Sequence, residues 1–140
     1  MEIKVRKLSP EAKLPAYSHA GDAGLDLFAL ENTELEPGVR AQVKTGIALE
    51  IPDGHVGLIW DKSGLAQKFG LKTLGGVVDA TYRGEVLVGI ANISKERYVV
   101  EAGHKVAQML IQKVEQVTVV EVKELTQTNR GQSGFGSTGK

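Results

Sequence analysis

The sequence predicts an all-β fold, a sandwich or barrel of short strands, on three observations. Apolar and polar residues alternate at period two through most of the chain. Turn residues interrupt these runs about every 8–12 positions, the spacing of sandwiches and barrels. A single stretch, Ser63 to Gly70, reads as helical, and at one to two turns it is a minor element.

The strands follow in order. Ile3 and Val5 alternate with Glu2, Lys4 and Arg6, which gives a strand with one wet face. Leu25, Leu27 and Ala29 alternate with Asp26 and Phe28. Val39, Ala41 and Val43 form the next run, then Ile47, Leu49 and Ile51, closed by Pro52-Asp53-Gly54. That tripeptide is a turn signal, because proline presets φ and glycine accepts positive φ. In the short helix Ser63 is the expected cap and Gly70 the expected stop. Val77 to Glu85 reads as a hairpin with a polar tip. Val86, Val88 and Ile90 follow it. Val106 to Ile111 is nearly all apolar, as a strand covered on both faces should be. Val117, Val119, Val120 and Val122 are expected to supply the last strands.

Composition narrows the function. The chain has 140 residues, the size of one domain with a core of its own. Lys+Arg and Asp+Glu are both 17, so no overall field draws the protein to nucleic acid, and any phosphate site must be local. Cysteine is absent, which excludes disulfides, thiolate catalysis and cysteine-ligated metals. No apolar run approaches the roughly 20 residues of a membrane span. The charged, alternating N-terminus lacks a signal-peptide pattern, and a cytoplasmic location is expected. His19, His55 and His104 show no metal-ligand spacing and read as surface or structural residues. Residues 1–125 contain no linker and form the β domain. Residues 126–140 carry no aliphatic side chain and several glycines, the composition of a flexible arm.

Five segments hold residues with chemical potential, each open to a plainer reading. Asp26, inside Gly21-Asp-Ala-Gly-Leu-Asp-Leu27, either supports a metal or bonds nearby turn amides. Asp61-Lys62-Ser63-Gly64 opens the helix, where free N–H groups, a hydroxyl and a lysine suit a phosphate; an ordinary turn with a solvated lysine has the same sequence. Asp79, the first charge after an apolar run, is a general base or a turn aspartate. Tyr82 is a pocket wall or a packing residue. Gln108, polar within an apolar strand and preceded by Lys105, bonds within the core or positions a ligand. The glycine-rich tail carries Arg130 and Phe135, suited to phosphate and to a base if it closes over a ligand.

Taken together and in order, these segments resemble the five motifs of trimeric dUTPases. Ala20-Gly-Asp-Ala-Gly-Leu-Asp26-Leu is similar to the first, Asp61-Lys-Ser-Gly-Leu-Ala66 to the second and Gly76-Val-Val-Asp-Ala-Thr-Tyr-Arg-Gly-Glu85 to the third. Gly103-His-Lys-Val-Ala-Gln-Met-Leu-Ile111 is similar to the fourth, and Arg130-Gly-Gln-Ser-Gly-Phe-Gly-Ser-Thr-Gly139 to the fifth. The resemblance spans nearly the whole chain. It implies a jelly-roll subunit in a homotrimer with active sites at subunit interfaces. It also implies Mg²⁺-dependent hydrolysis of dUTP to dUMP and pyrophosphate, which keeps uracil out of DNA and supplies dUMP for dTMP synthesis.

By the same resemblance Asp79 activates the water, and Tyr82 packs on the deoxyribose and excludes a 2′-hydroxyl. The backbone around Gly76 and Val78 reads uracil. Lys62, Ser63, Gly64 and Gln108 contact phosphates or water, with Asp26 and Lys105 in support and Asp26 reaching the metal through water. Phe135 stacks on uracil, while Arg130, Gly136, Ser137 and Thr138 close over the outer phosphates. Three departures stand out: Lys62 and Lys105 occupy positions where arginine is usual, His104 replaces an acidic residue, and Gln132-Ser133 replaces an acidic residue and glycine. Lysine is a point charge without arginine's bidentate fork, so weaker or differently balanced phosphate binding is expected. Two other readings share the fold: a dCTP deaminase or bifunctional deaminase–diphosphatase, and a nucleotide-sensing trimer of low turnover.

Overall fold

The computed structural model describes residues 1–133. Its strands are β1 (Lys4–Lys7), β2 (Leu25–Phe28), β3 (Thr33–Leu35), β4 (Arg40–Glu50), β5 (His55–Asp61), β6 (Leu71–Leu74), β7 (Val77–Asp79), β8 (Glu85–Asn92), β9 (Tyr98–Val100) and β10 (Lys105–Lys113), with one helix, α1 (Ser63–Phe69). They form two four-stranded sheets, β1-β4-β8-β6 and β2-β10-β5-β7, and a two-stranded ribbon, β3-β9. All pairs are antiparallel. The expected all-β sandwich with one short helix is the observed architecture.

Alternation decides which residues enter the core. Val43 and Ile47 from β4, Val86, Val88 and Ile90 from β8, Leu27 from β2 and Val106 and Met109 from β10 are almost fully buried between the sheets. The two runs expected around Val39–Val43 and Ile47–Ile51 are one strand, β4, with a register shift between Lys44 and Ala48. Gly46 lies in that irregularity at φ 68°, and its amide donates to Glu85 Oε1 at 2.8 Å. β4 advances four residues across the irregularity while β8 advances two, an even difference, so alternation is kept and Val43, Thr45, Ile47 and Leu49 all point inward. Fully buried Asn92 donates its amide to the carbonyls of Leu35 (2.9 Å) and Glu96 (2.7 Å), tying β8 to the ribbon side of the barrel.

Three expectations are corrected. Ser63 does not cap α1: Lys62 holds the capping position in extended backbone, and no side chain caps the helix. Ser63 is already helical, one residue too late for its hydroxyl to cap. Gly70 does end the helix, in left-handed backbone at φ 64°. Val77–Glu85 is not a paired hairpin. β7 joins β5 in one sheet and β8 joins β4 and β6 in the other, so residues 80–84 carry the chain between sheets. Finally, Val117–Val122 form no strand. Val119 is 89% exposed, and among the described residues no strand ladder covers this segment. A strand needs a partner for its backbone N–H and C=O groups, and the described residues supply none. Among the described residues no helix is long and apolar enough to cross a membrane.

Candidate active site

Strand register builds the first half of the site. β10 pairs with β2 on one side and β5 on the other, so Asp26, Gln108 and Trp60 stand in one row across three strands. Directly opposed residues share a sheet face, and here they share the outer one. Asp26 is 2% exposed yet charged, because three donors surround it. Lys105 Nζ lies 2.7 Å from Oδ2, Ser18 Oγ donates to Oδ2 at 2.5 Å, and Lys62 Nζ pairs with Oδ1. Burial pushes this carboxyl up, but the bonds from Lys105, Lys62 and Ser18 outweigh it and hold it at about 2. Lys62 and Lys105, expected toward phosphate, are thus tied to Asp26. Each ammonium has three donors, so both keep donors for an anion on their exposed side.

Gln108 donates from Nε2 to the Asp61 carbonyl at 2.9 Å. The plainer reading of this residue holds, a bond to a neighbouring strand, and the residue also lines a cavity. That cavity is about 520 Å³, with Gly24, Trp60, Asp61, Lys62 and Gln108 in its wall. Gly24 lies against the Gln108 amide so closely that a Cβ there would collide with Oε1. Ser63 and Gly64 open α1 just beyond Lys62, both exposed, in the turn whose backbone N–H groups lack helical partners.

Asp79 anchors the second half. It is the last residue of β7, opposite Val56 of β5, exposed beside buried Val78. Two open cavities flank it, about 760 Å³ toward His55 and Thr81 and about 270 Å³ toward Tyr82 and Glu85. The Tyr82 amide donates to the Asp79 carbonyl at 3.0 Å, and the Tyr82 hydroxyl donates to the Glu85 carbonyl at 3.0 Å. Arg83 Nη1 donates to the Ala80 and Tyr82 carbonyls at 2.5 and 2.9 Å, bracing the turn. Gly76 carries φ 115° and accepts a bond from the Ile59 amide at 2.7 Å.

The two halves do not meet within one chain. Asp79 stands opposite Val56, and Gln108 stands opposite Trp60, four residues further along β5. Two strand spacings and four residues of rise separate them by about 16 Å. Arg130 lies apart from both, its Nε donating to the Ser133 carbonyl at 2.8 Å within a local turn. Phe135, Gly136, Ser137 and Thr138 lie outside the described residues. Sequence reasoning missed Trp60, Ser18 and the side chain of Asp61; a charged residue between a strand and a helix start was the available signal for Asp61.

Among the described residues no group of three or more His, Asp or Glu is placed to hold a metal ion. Both oxygens of Asp26 are already engaged. This surface fits a magnesium ion held by phosphate oxygens and water, and does not form a protein cage for one.

The dUTPase family model matches residues 10–139. A deoxyuridine 5'-triphosphate nucleotidohydrolase of Thermobifida fusca is 46% identical over 142 residues, covering 99% of this chain and 79% of that protein. Its counterpart from Clostridium kluyveri is 44% identical, covering 99% of both. Among solved structures, a mutant Staphylococcus bacteriophage 80alpha dUTPase with dUpNHpp superposes at TM-score 0.93 and 31% identity, covering 99% of both chains. A mutant dUTPase from phage phi11 of S. aureus, described with a structural Mg(II) ion, superposes at 0.83 and 31% identity over 89% of this chain and 98% of that one.

Proposed function

The chain belongs to the dUTPase family, and on that footing we propose how it hydrolyses dUTP to dUMP and pyrophosphate. The separation of Asp79 from Lys62 and Gln108 carries the reading. A general base must lie within hydrogen-bond reach of the water it activates. At about 16 Å, Asp79 is too far from the phosphate-facing groups of its own chain to share a site with them. It therefore serves groups of a neighbouring subunit in a homotrimer. Exposed apolar residues support that assembly: among the described residues Val77, Val117, Val119, Val120 and Leu125 are largely exposed, and Trp60 and Val122 are about half exposed.

In the complete site the Asp79 carboxylate takes a proton from water as the water oxygen attacks the α-phosphorus. The bond from that phosphorus to the bridging oxygen breaks, and pyrophosphate leaves with the electron pair. Gln108, Lys62 and Ser63 position the phosphates, and Lys105 adds charge beside them. Magnesium, when bound with the triphosphate, neutralises charge on its oxygens and narrows their geometry. Tyr82 packs against the deoxyribose, and the backbone from Gly76 to Val78 meets the uracil. Residues 126–140 act as an arm that closes over the nucleotide, with Arg130, Gly136, Ser137 and Thr138 on the outer phosphates and Phe135 on the base. The reaction calls for positioning and charge neutralisation more than covalent help, which suits this residue set. A nucleotide substrate and the lack of a spanning helix in the described residues agree with a cytoplasmic enzyme.

The deciding experiment compares the parent with Asp79→Asn. The parent releases pyrophosphate from dUTP with Mg²⁺ and releases little from UTP, dCTP or dTTP. Asp79→Asn keeps its trimer and its affinity for a non-hydrolysable dUTP analogue while kcat falls by about 10²–10⁴, the usual worth of a general base. Normal kcat in the variant would remove Asp79 from the mechanism. Ammonia from dCTP would move the protein to the deaminase branch of the fold.

A further inference from the structure

Asp61 ends β5, directly before Lys62 and Ser63, yet its side chain turns away from them to β6. Oδ1 accepts from the Thr73 amide at 2.7 Å and from the Thr73 hydroxyl at 2.6 Å. Oδ2 accepts from Lys72 Nζ at 2.8 Å. Its main-chain carbonyl accepts from Gln108 at 2.9 Å. One residue therefore bonds β6 and β10 from its place just before α1. β5 and β6 lie in different sheets, so the carboxylate is a clasp between them. Thr73 is buried, so its amide has no water to replace a lost acceptor. Two residues beyond Thr73, Gly75 and Gly76 lead into β7, which ends at Asp79.

We propose that Asp61 is a positioning residue for phosphoryl transfer, holding the strand that leads to Asp79 in fixed relation to Lys62, Ser63 and Gln108. The proposal rests on the dUTP-hydrolysis reading above. Its logic is geometric. Within one chain these two regions belong to different copies of the site, so each clasp sets the base of one site against the phosphate groups of the next. Releasing it lets both ends drift in all the sites together. Misplacement by about 1 Å at a reacting centre can cost about 10²-fold in rate, far more than it costs in ground-state binding. Asp61 itself touches neither water nor phosphate in this scheme.

The test uses the full chain with dUTP and Mg²⁺, and measures kcat, KM, Tm and oligomer mass well below each variant's melting temperature. Asp61→Ala is expected to lower kcat about 30-fold while KM changes less than about threefold. Asp61→Asn keeps one acceptor oxygen for Thr73 and should recover kcat to within about fivefold of the parent. Lys72→Met, which leaves the Thr73 bonds intact, should stay within about twofold, since exposed ion pairs contribute little. Should Asp61→Ala fail to fold, Thr73→Val decides, with kcat about fivefold down and KM unmoved. Parent-like kcat in Asp61→Ala, or in Thr73→Val where it stands in, would overturn the proposal whatever happens to Tm. So would an Asn variant no better than Ala. A parent that does not turn over dUTP would overturn both this proposal and the function it rests on, whereas an active parent beside unaffected variants overturns the positioning role alone.

Discussion

Lys105 Nζ stands 2.7 Å from Asp26 Oδ2, and together with Lys62 it keeps an almost fully buried carboxylate ionised. The strands carrying Asp26 and Lys105 are neighbours, so the pair also pins β2 against the start of β10. Its energetic sign follows from the depressed carboxyl, about 2 against an ordinary 3.8. A group whose folded value lies below its unfolded one stabilises the fold above the unfolded value. That stability is lost as pH falls through the folded value.

Thermal melts of the parent should therefore lose about 2 kcal/mol of stability between about pH 4 and about pH 2 through this group. Asp26→Asn should melt about 5–10 °C lower at neutral pH and converge on the parent near about pH 2. A gap that stays constant over that range would show that the Asp26 charge is not the linked group.

Gly24 and Gly76 should respond differently to alanine. At Gly24 the added Cβ meets the free end of the Gln108 side chain, which can rotate away and lose its bond to Asp61. Gly24→Ala should keep Tm within about 2 °C, a surface-like cost, while kcat falls at least about tenfold through a misplaced amide. At Gly76 the Cβ would sit 2.7 Å from the Ile59 carbonyl oxygen, in backbone at φ 115°. Neither can yield cheaply, so Gly76→Ala should lower Tm by about 5 °C or more. Equal effects of both variants on Tm would contradict this division.

Chelation should separate chemistry from stability. The described residues offer no cluster for a resident ion. Removing Mg²⁺ with EDTA should abolish turnover and leave the Tm of the nucleotide-free protein within about 1 °C, because an ion that does not bind the free protein cannot shift its unfolding. Mg²⁺ should raise Tm only when a non-hydrolysable dUTP analogue is present. A rise of several degrees from Mg²⁺ alone would reveal a protein-ligated site.

How much was legible beforehand depended on the range of the interaction. Leu25–Leu27, Arg40–Val43, Ile47–Leu49 and Val86–Ile90 carried their strand assignment in local alternation and Val106–Ile111 in a nearly continuous apolar run, and each lies in a strand. β3, β6, β7 and β9, three or four residues each, lie outside the alternating runs and exist because a partner strand lies beside them. The apolar alternation of Val117–Val122 sent the opposite signal, a strand pattern with no partner strand among the described residues. Among the candidate site residues, Asp26, Lys62, Asp79, Tyr82 and Gln108 were visible in the sequence as polar groups within the ordered motifs. The clasp from Asp61 to Thr73 was not, since the two stand twelve positions apart with a helix between them.

Sequence by itself determined the secondary-structure class, the absence of thiol chemistry and the family to which the ordered motifs belong. These are local properties: periodicity, turn chemistry and residue identity act over a few positions of chain. Only the tertiary structure decided that Asp26 binds both lysines, that Gln108 bonds to Asp61, and that Asp79 stands about 16 Å from Gln108 of its own chain. Those facts depend on strand register between segments distant in sequence. Register is set by which side chains fill the common core, and no short window of sequence contains that information.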